Sequence, residues 1–283
     1  MSKLNARDQI RVGIDRIQIA GDFKKKGELP DFDGFEKLSD RFVRSVTPIK
    51  TWERVARYEH GETGSQLFIL YRTNLPSLPD MKATLIAPNG RFLSWNAVDG
   101  VRRELAEARL VLIELALDFP PKCGIDRDFI LKHGVFGKAH RRPVSLPTIY
   151  FGGRRSDKLI RCYFKAEVVA FRVEFQLHAS WLTQRNLTQL QNLPDLPMHL
   201  APYLNFSRID WTLLRNHLEA TQPENASRVL RDARARSRDI LRTLSYLTSE
   251  KIFNRHRYLQ SLSINRDAMK AVKHWAREWV LHV

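Results

Sequence analysis

Hydrophobic residues recur mainly at every second position through the first 180 residues and at helical intervals beyond them. IRVGIDRIQIAGDF alternates through Val12, Ile14, Ile17 and Ile19 and predicts a first strand closed by Gly21 and Asp22. Phe35, Leu38, Phe42 and Val46 follow a 3-4-4 spacing, which predicts an amphipathic helix over 32–46. RVARYEH and SQLFILYRT are separated by Gly61-Glu62-Thr63-Gly64, a hairpin signal, and 81–87 reads as a strand before the Pro88-Asn89-Gly90 turn. Asp99 is expected to cap a helix over VRRELAEARL. RLVLIELALDFPP then reads as an apolar strand. From 148 to 178 the chain predicts strand, Gly152-Gly153 turn, strand, short loop and strand, over 149–151, 159–165 and 168–177.

After His178 the pattern becomes helical. SWLTQRNLTQLQNL predicts a helix, LPDLPMHLAPYL breaks on Pro194, Pro197 and Pro202, and helices with short turns fill the rest. The longest, over 224–248, sets Leu230, Ala233, Leu241 and Leu244 on a core stripe beside a stripe of Arg231, Arg234, Arg238 and Arg242. The last, over 265–281, stacks Met269, Val272, Trp275 or Ala276, and Trp279, most simply as core. The expected class is α+β: a mostly antiparallel sheet with packed helices (1–205), followed by a smaller helical C-terminal region (206–283).

Charge narrows the partners. With 47 Lys and Arg against 31 Asp and Glu in 283 residues, the chain carries +16 and favours a polyanion such as nucleic acid. It lacks an apolar run of about 18 residues, and its start has no signal-peptide layout, which predicts no membrane segment and a cytoplasmic protein. Cys123 and Cys162 have no CxxC spacing and read as free thiols.

Candidate chemistry falls on two strands. Arg161, Tyr163 and Lys165 share one strand face, placing a phenol between two cations, a setting for phosphate. Arg172, Glu174 and Gln176 share a face opposite Phe171, Val173, Phe175 and Leu177, so Glu174 is open to a salt bridge with Arg172 or Arg161 as much as to a metal. Glu114, Ala116 and Asp118 share a face of the apolar strand, where two carboxylates need a compensating partner; Asp118 is also placed to cap the turn before Pro120-Pro121. Residues 122–172 carry 12 basic and 4 acidic side chains, half of the excess charge. Arg154 and Arg155 beside the glycine turn are candidate phosphate contacts, and the arginine stripe of 224–248 is either a solvated face or a DNA-binding one. Tyr150 is the rival tyrosine. No two of the nine histidines form an HxH pair, which argues against a histidine-held metal.

The order TxYxG, RxSxxxxRxYxK and RVE, preceded by the acidic strand IELALDF, resembles the Rep_trans-type replication initiators of rolling-circle plasmids and some filamentous phages. The likeness covers about residues 10–200, with specific motifs only in 111–119 and 148–177. It implies an endonuclease that nicks and rejoins one DNA strand at an origin through a covalent 5′-phosphotyrosine. Carried over, Tyr163 is the nucleophile, Lys165 its cationic neighbour, and Glu174, Glu114 and Asp118 hold Mg²⁺ or Mn²⁺. Glu114 stands where the family has Asp, and Phe164 where it has a polar residue. Arg161 and Lys165 are expected to favour the phenolate. Origin DNA, as hairpin or single strand, is the implied partner, with a homodimer and a host helicase or polymerase as further ones. The alternative is a non-catalytic DNA-binding regulator or decayed initiator on the same scaffold; RNA binding through the sheet face is a third reading.

Overall fold

A computed structural model of the chain describes residues 9–25, 28–43, 52–73, 75, 77–133, 147–153, 156–201, 203, 215, 218–235 and 255–280. Among the described residues nine strands form one sheet: β1 (Arg11–Gly21), β2 (Phe35–Phe42), β3 (Arg54–His60), β4 (Gln66–Tyr71), β5 (Met81–Ile86), β6 (Arg109–Phe119), β7 (Ile149–Phe151), β8 (Lys158–Lys165) and β9 (Ala170–His178). Their order is β2-β3-β4-β5-β1-β6-β9-β8-β7, and every neighbouring pair is antiparallel. β1 and β6 lie side by side at the centre. Each half of the chain leaves that centre, starts again at an edge and returns, so that β5 closes on β1 and β9 closes on β6.

Alternation explains the layering. Ile14, Ile17 and Ile19 of β1, Ile113, Leu115 and Leu117 of β6, and Val173, Phe175 and Leu177 of β9 are all buried on one face. A shift of register between Ile14 and Arg16 restores that face after the sequence parity changes. The described helices are α1 (Trp95–Arg102), α2 (Arg127–His133), α3 (Ala179–Thr183), α4 (Leu196–Leu200), α5 (Pro223–Ala235) and α6 (Arg255–Val280). Buried residues of α1, α3 and α6, among them Val98, Trp181, Val272, Trp275 and Trp279, join the same core cluster as the apolar sheet face. The expected α+β class is thus the observed one, and the C-terminal helix packs on the sheet's core. Among the described residues no helix is long and apolar enough to cross a membrane.

Several expected elements differ. The helix expected over 32–46 is instead the edge strand β2 as far as Phe42; its 3-4-4 spacing arises because a bulge at Leu38 shifts the strand's parity. Most of β2 is exposed, so no amphipathic helix face exists to bury. Asp99 is not a cap: α1 begins earlier, with Ser94 accepting a hydrogen bond from the Ala97 amide, and Asp99 lies inside it, bound to Arg102 and Arg103 at 2.6 Å each. The helix expected after His178 shrinks to α3 and a 3-10 turn over Leu190–Asp195 that contains Pro194. Leu230 and Ala233 are buried in α5 as expected, whereas Leu241 and Leu244 fall outside the described residues.

Candidate active site

The face of the sheet opposite this core carries the polar residues of four central strands. Register brings them together: Arg161 of β8 lies opposite Glu174 of β9, Glu174 opposite Ala116 of β6, Gln176 opposite Glu114, and Glu114 opposite Arg16 of β1. Opposed residues of an antiparallel pair point the same way, so this row is a single cluster. Tyr163 donates its hydroxyl to Glu174 Oε2 at 2.9 Å. Arg161 pairs with Glu174 and reaches Glu114 Oε2 at 3.4 Å, while Arg16 pairs with the other side of Glu114 and Gln176 donates to Glu114 Oε1 at 2.8 Å. Both carboxylates are buried, Glu174 at 0% exposure and Glu114 at 4%.

A second cluster lies beside the first. Arg172, wholly buried, donates to both oxygens of Asp118 at 2.6 and 2.9 Å and to Asp15 at 2.7 Å; Lys165 stands 3.7 Å from Asp15. The guanidinium also stacks on Phe92, 5.4 Å from the ring centroid. Phe92 can lie there because residue 13 is glycine: a Cβ at Gly13 would stand 2.2 Å from Phe92 Cγ. Gly13→Ala is therefore expected to push Phe92 off the network and destabilise the fold by about 1–3 kcal/mol, read by urea unfolding; an unchanged midpoint would show that Phe92 moves aside freely.

This arrangement corrects two expectations. Tyr163 does not sit between two free cations, because Arg161 is drawn to Glu174 and Glu114, and Lys165 to Asp15. Burial, and then the charge and hydrogen bond of Glu174, push the Tyr163 hydroxyl well above its ordinary value, so the phenol is protonated at neutral pH and held by a base. The three expected metal carboxylates also divide. Glu114 and Glu174 converge on one guanidinium, whereas Asp118, four residues from Glu114 and thus about 13 Å along the strand, is held by Arg172.

Among the described residues no group of three or more His, Cys, Asp or Glu side chains is disposed to hold a metal ion. Glu114 and Glu174 are oxygen donors of the kind Mg²⁺ or Mn²⁺ takes, and both are held by the Arg161 guanidinium. Burial, and next the charge of Glu174, raise the Glu114 pKa against the opposing pull of Arg16 and Arg161. Among the described residues the Nε–H groups of Arg16 and Arg161, beside Glu114, are buried without an acceptor.

Arg16, Asp15 and Phe92 were missed in the sequence. Arg16 carried a usable signal, since it is a cation inside an apolar strand. Tyr150 of β7 lies opposite Arg161, so it shares a face with that cation, whereas the sequence, in which Tyr150 precedes a glycine turn, put no cation there. Arg231 and Arg234 are exposed on α5, with Arg231 3.7 Å from Asp232; Arg154, Arg155, Arg238 and Arg242 lie outside the described residues. Cys162 is a buried free thiol whose pKa is raised well up by burial, and Cys123 is also free of disulfide. Comparison of the chain with protein-family models and with curated proteins gave no match.

Proposed function

We propose that this protein nicks and rejoins one strand of DNA through Tyr163, as an initiator of rolling-circle replication acting in the cytoplasm. The observation that carries this reading is the row Tyr163–Glu174–Arg161–Glu114–Arg16: a hydroxyl on a buried carboxylate, flanked by guanidinium groups. Tyr163 Oη attacks the phosphorus while its proton passes to Glu174, the bond to the 3′ oxygen breaks, and that oxygen takes a proton from water. The products are a 5′-phosphotyrosine and a free 3′-hydroxyl. Arg161 and Arg16 stabilise the charge that builds on the phosphate oxygens. Glu114 and Glu174 would hold Mg²⁺ or Mn²⁺, which would supply polarisation of the scissile phosphate. Asp118, Arg172, Asp15 and Lys165 support the site and do not enter the metal set.

The DNA partner is an origin hairpin or single strand, drawn by the +16 net charge. Arg231 and Arg234 on α5 are candidate backbone contacts, and a host helicase or polymerase would extend the 3′ end. One observation favours the alternative of a non-catalytic DNA-binding protein: Glu114, Glu174 and Asp118 are all already compensated by arginines, so the face is stable without a metal.

The two readings part on supercoiled DNA carrying candidate origin hairpins. The enzyme reading expects relaxed circles and protein attached to a 5′ end with Mg²⁺ or Mn²⁺, and neither product with EDTA. Tight binding to the protein's own origin with no nick and no adduct would leave the regulator.

A further inference from the structure

Two residues along the strands from Arg16 and Glu114, the polar face carries a second row that the proposed reaction does not use. Its register is continuous over six strands. Arg57 of β3 lies opposite Phe68 of β4, Phe68 opposite Thr84 of β5, Thr84 opposite Gln18 of β1, Gln18 opposite Leu112 of β6, and Leu112 opposite His178 of β9. Opposed residues of an antiparallel pair share a face, so the whole row stands on the side of Glu114 and Gln176. Lys82 joins it from β5, two residues before Thr84 and on the same face.

The residues of this row suit a polyanion with flat, apolar bases. Phe68 is an aromatic left half-buried on a polar face, and the exposed Arg57 holds its guanidinium 5.7 Å from the ring centroid. A ring and a guanidinium together offer a base two surfaces on which to stack. Lys82 is half-buried yet makes no ion pair among the described residues, and burial, with the charge of Arg16, lowers its pKa. Burial and Arg16 lower His178 as well, against the pull of Asp157. The arginines of the first row are each met by a carboxylate of the chain, Arg16 by Glu114 and Arg161 by Glu174. A half-buried ammonium without such a partner is costly until an anion comes to it.

We infer that the row from Arg57 to His178, with Lys82 beside it, is a second binding site of this chain, which takes single-stranded DNA. Phe68 and Arg57 stack a base, Lys82 takes a backbone phosphate, and Thr84, Gln18 and His178 offer hydrogen bonds along the way. A single strand fits because its bases are free to leave their neighbours for the ring, as those of a duplex are not. The choice of DNA rests on the proposed function. Phe68 and Tyr163 are five strand spacings apart, about 24 Å before twist. The strand is therefore gripped at a point well away from the bond that breaks.

Fluorescence anisotropy of a labelled single strand on the full chain, in EDTA and over a range of salt, tests this. Wild type is expected to bind the single strand more tightly than its duplex. Phe68→Leu keeps an apolar side chain and is expected to weaken binding about tenfold. Lys82→Gln and Arg57→Gln are each expected to lower the slope of log affinity against log salt by about 0.7. Arg57 is exposed, so its variant tests the site even if the others misfold, which circular dichroism checks. EDTA keeps the reaction out of the readout: weaker binding by these variants, beside a wild type that never nicks DNA, would keep the site and remove the reaction. Binding unchanged in Phe68→Leu, a salt slope unchanged in Arg57→Gln, or tighter binding of duplex or RNA than of single-stranded DNA would each overturn the inference.

Discussion

Tyr163→Phe is expected to lower the nicking rate by about 10³-fold or more and to abolish the covalent 5′ adduct, with origin binding nearly unchanged. The substitution removes one oxygen. It leaves the ring on β8 and the Arg161–Glu174 pair intact, and loses one hydrogen bond to a carboxylate, about 1.5–3 kcal/mol of stability. Tyr150→Phe is the matched control, because Tyr150 lies opposite Arg161 from the neighbouring strand but has no carboxylate to take its proton in the contacts described. It should nick like wild type. If Tyr150→Phe loses the adduct and Tyr163→Phe keeps it, the nucleophile is misassigned; if both keep it, the tyrosine mechanism fails. Glu174→Gln separates the base from the packing, since the amide still accepts from Tyr163 but cannot take its proton. It should lose rate more than binding.

Arg172→Met is expected to cost about 3–5 kcal/mol, the loss that follows when one partner is taken from a buried ion pair, and about 10 °C in Tm for a chain of this size. Arg172 is wholly buried and compensates Asp118 and Asp15 together, so its removal leaves Asp118 charged and enclosed at 2% exposure. Adding Asp118→Asn to Arg172→Met should recover part of the loss, which a urea denaturation series would measure. A cost under about 1 kcal/mol for Arg172→Met would mean that the network is not what holds this part of the sheet. The same pair of variants assigns Asp118. Asp118→Asn should retain metal-dependent nicking once its lower stability is allowed for, whereas Glu114→Gln should lose it, because only Glu114 faces Glu174 across a shared guanidinium.

The strand content of the chain was legible where alternation was regular. β3, β4, β6 and β9 have buried and polar residues at strict period two or an apolar run bounded by turns, and their limits agree with the sequence expectation to within a few residues. β2 was not legible, because a bulge inserts one residue and converts period two into something like 3.6. The candidate site was half legible. Arg161, Tyr163, Glu174 and Glu114 could be named from their placement on strand faces and from the family resemblance. Which carboxylate each arginine neutralises could not, since that depends on the placing of strands up to 157 residues apart, as in Arg172 and Asp15.

The sequence by itself determined the fold class, the strands that carry the polar face and the excess of positive charge, because these follow from local periodicity and composition. Only the tertiary structure decided that β1 and β6 meet at the centre, that Asp118 belongs to Arg172, and that Tyr163 rests on a carboxylate in place of two cations. The reason is physical: a side chain's face is set by its own strand, but its charge partner is set by neighbouring strands, and in a buried site the partner decides the chemistry.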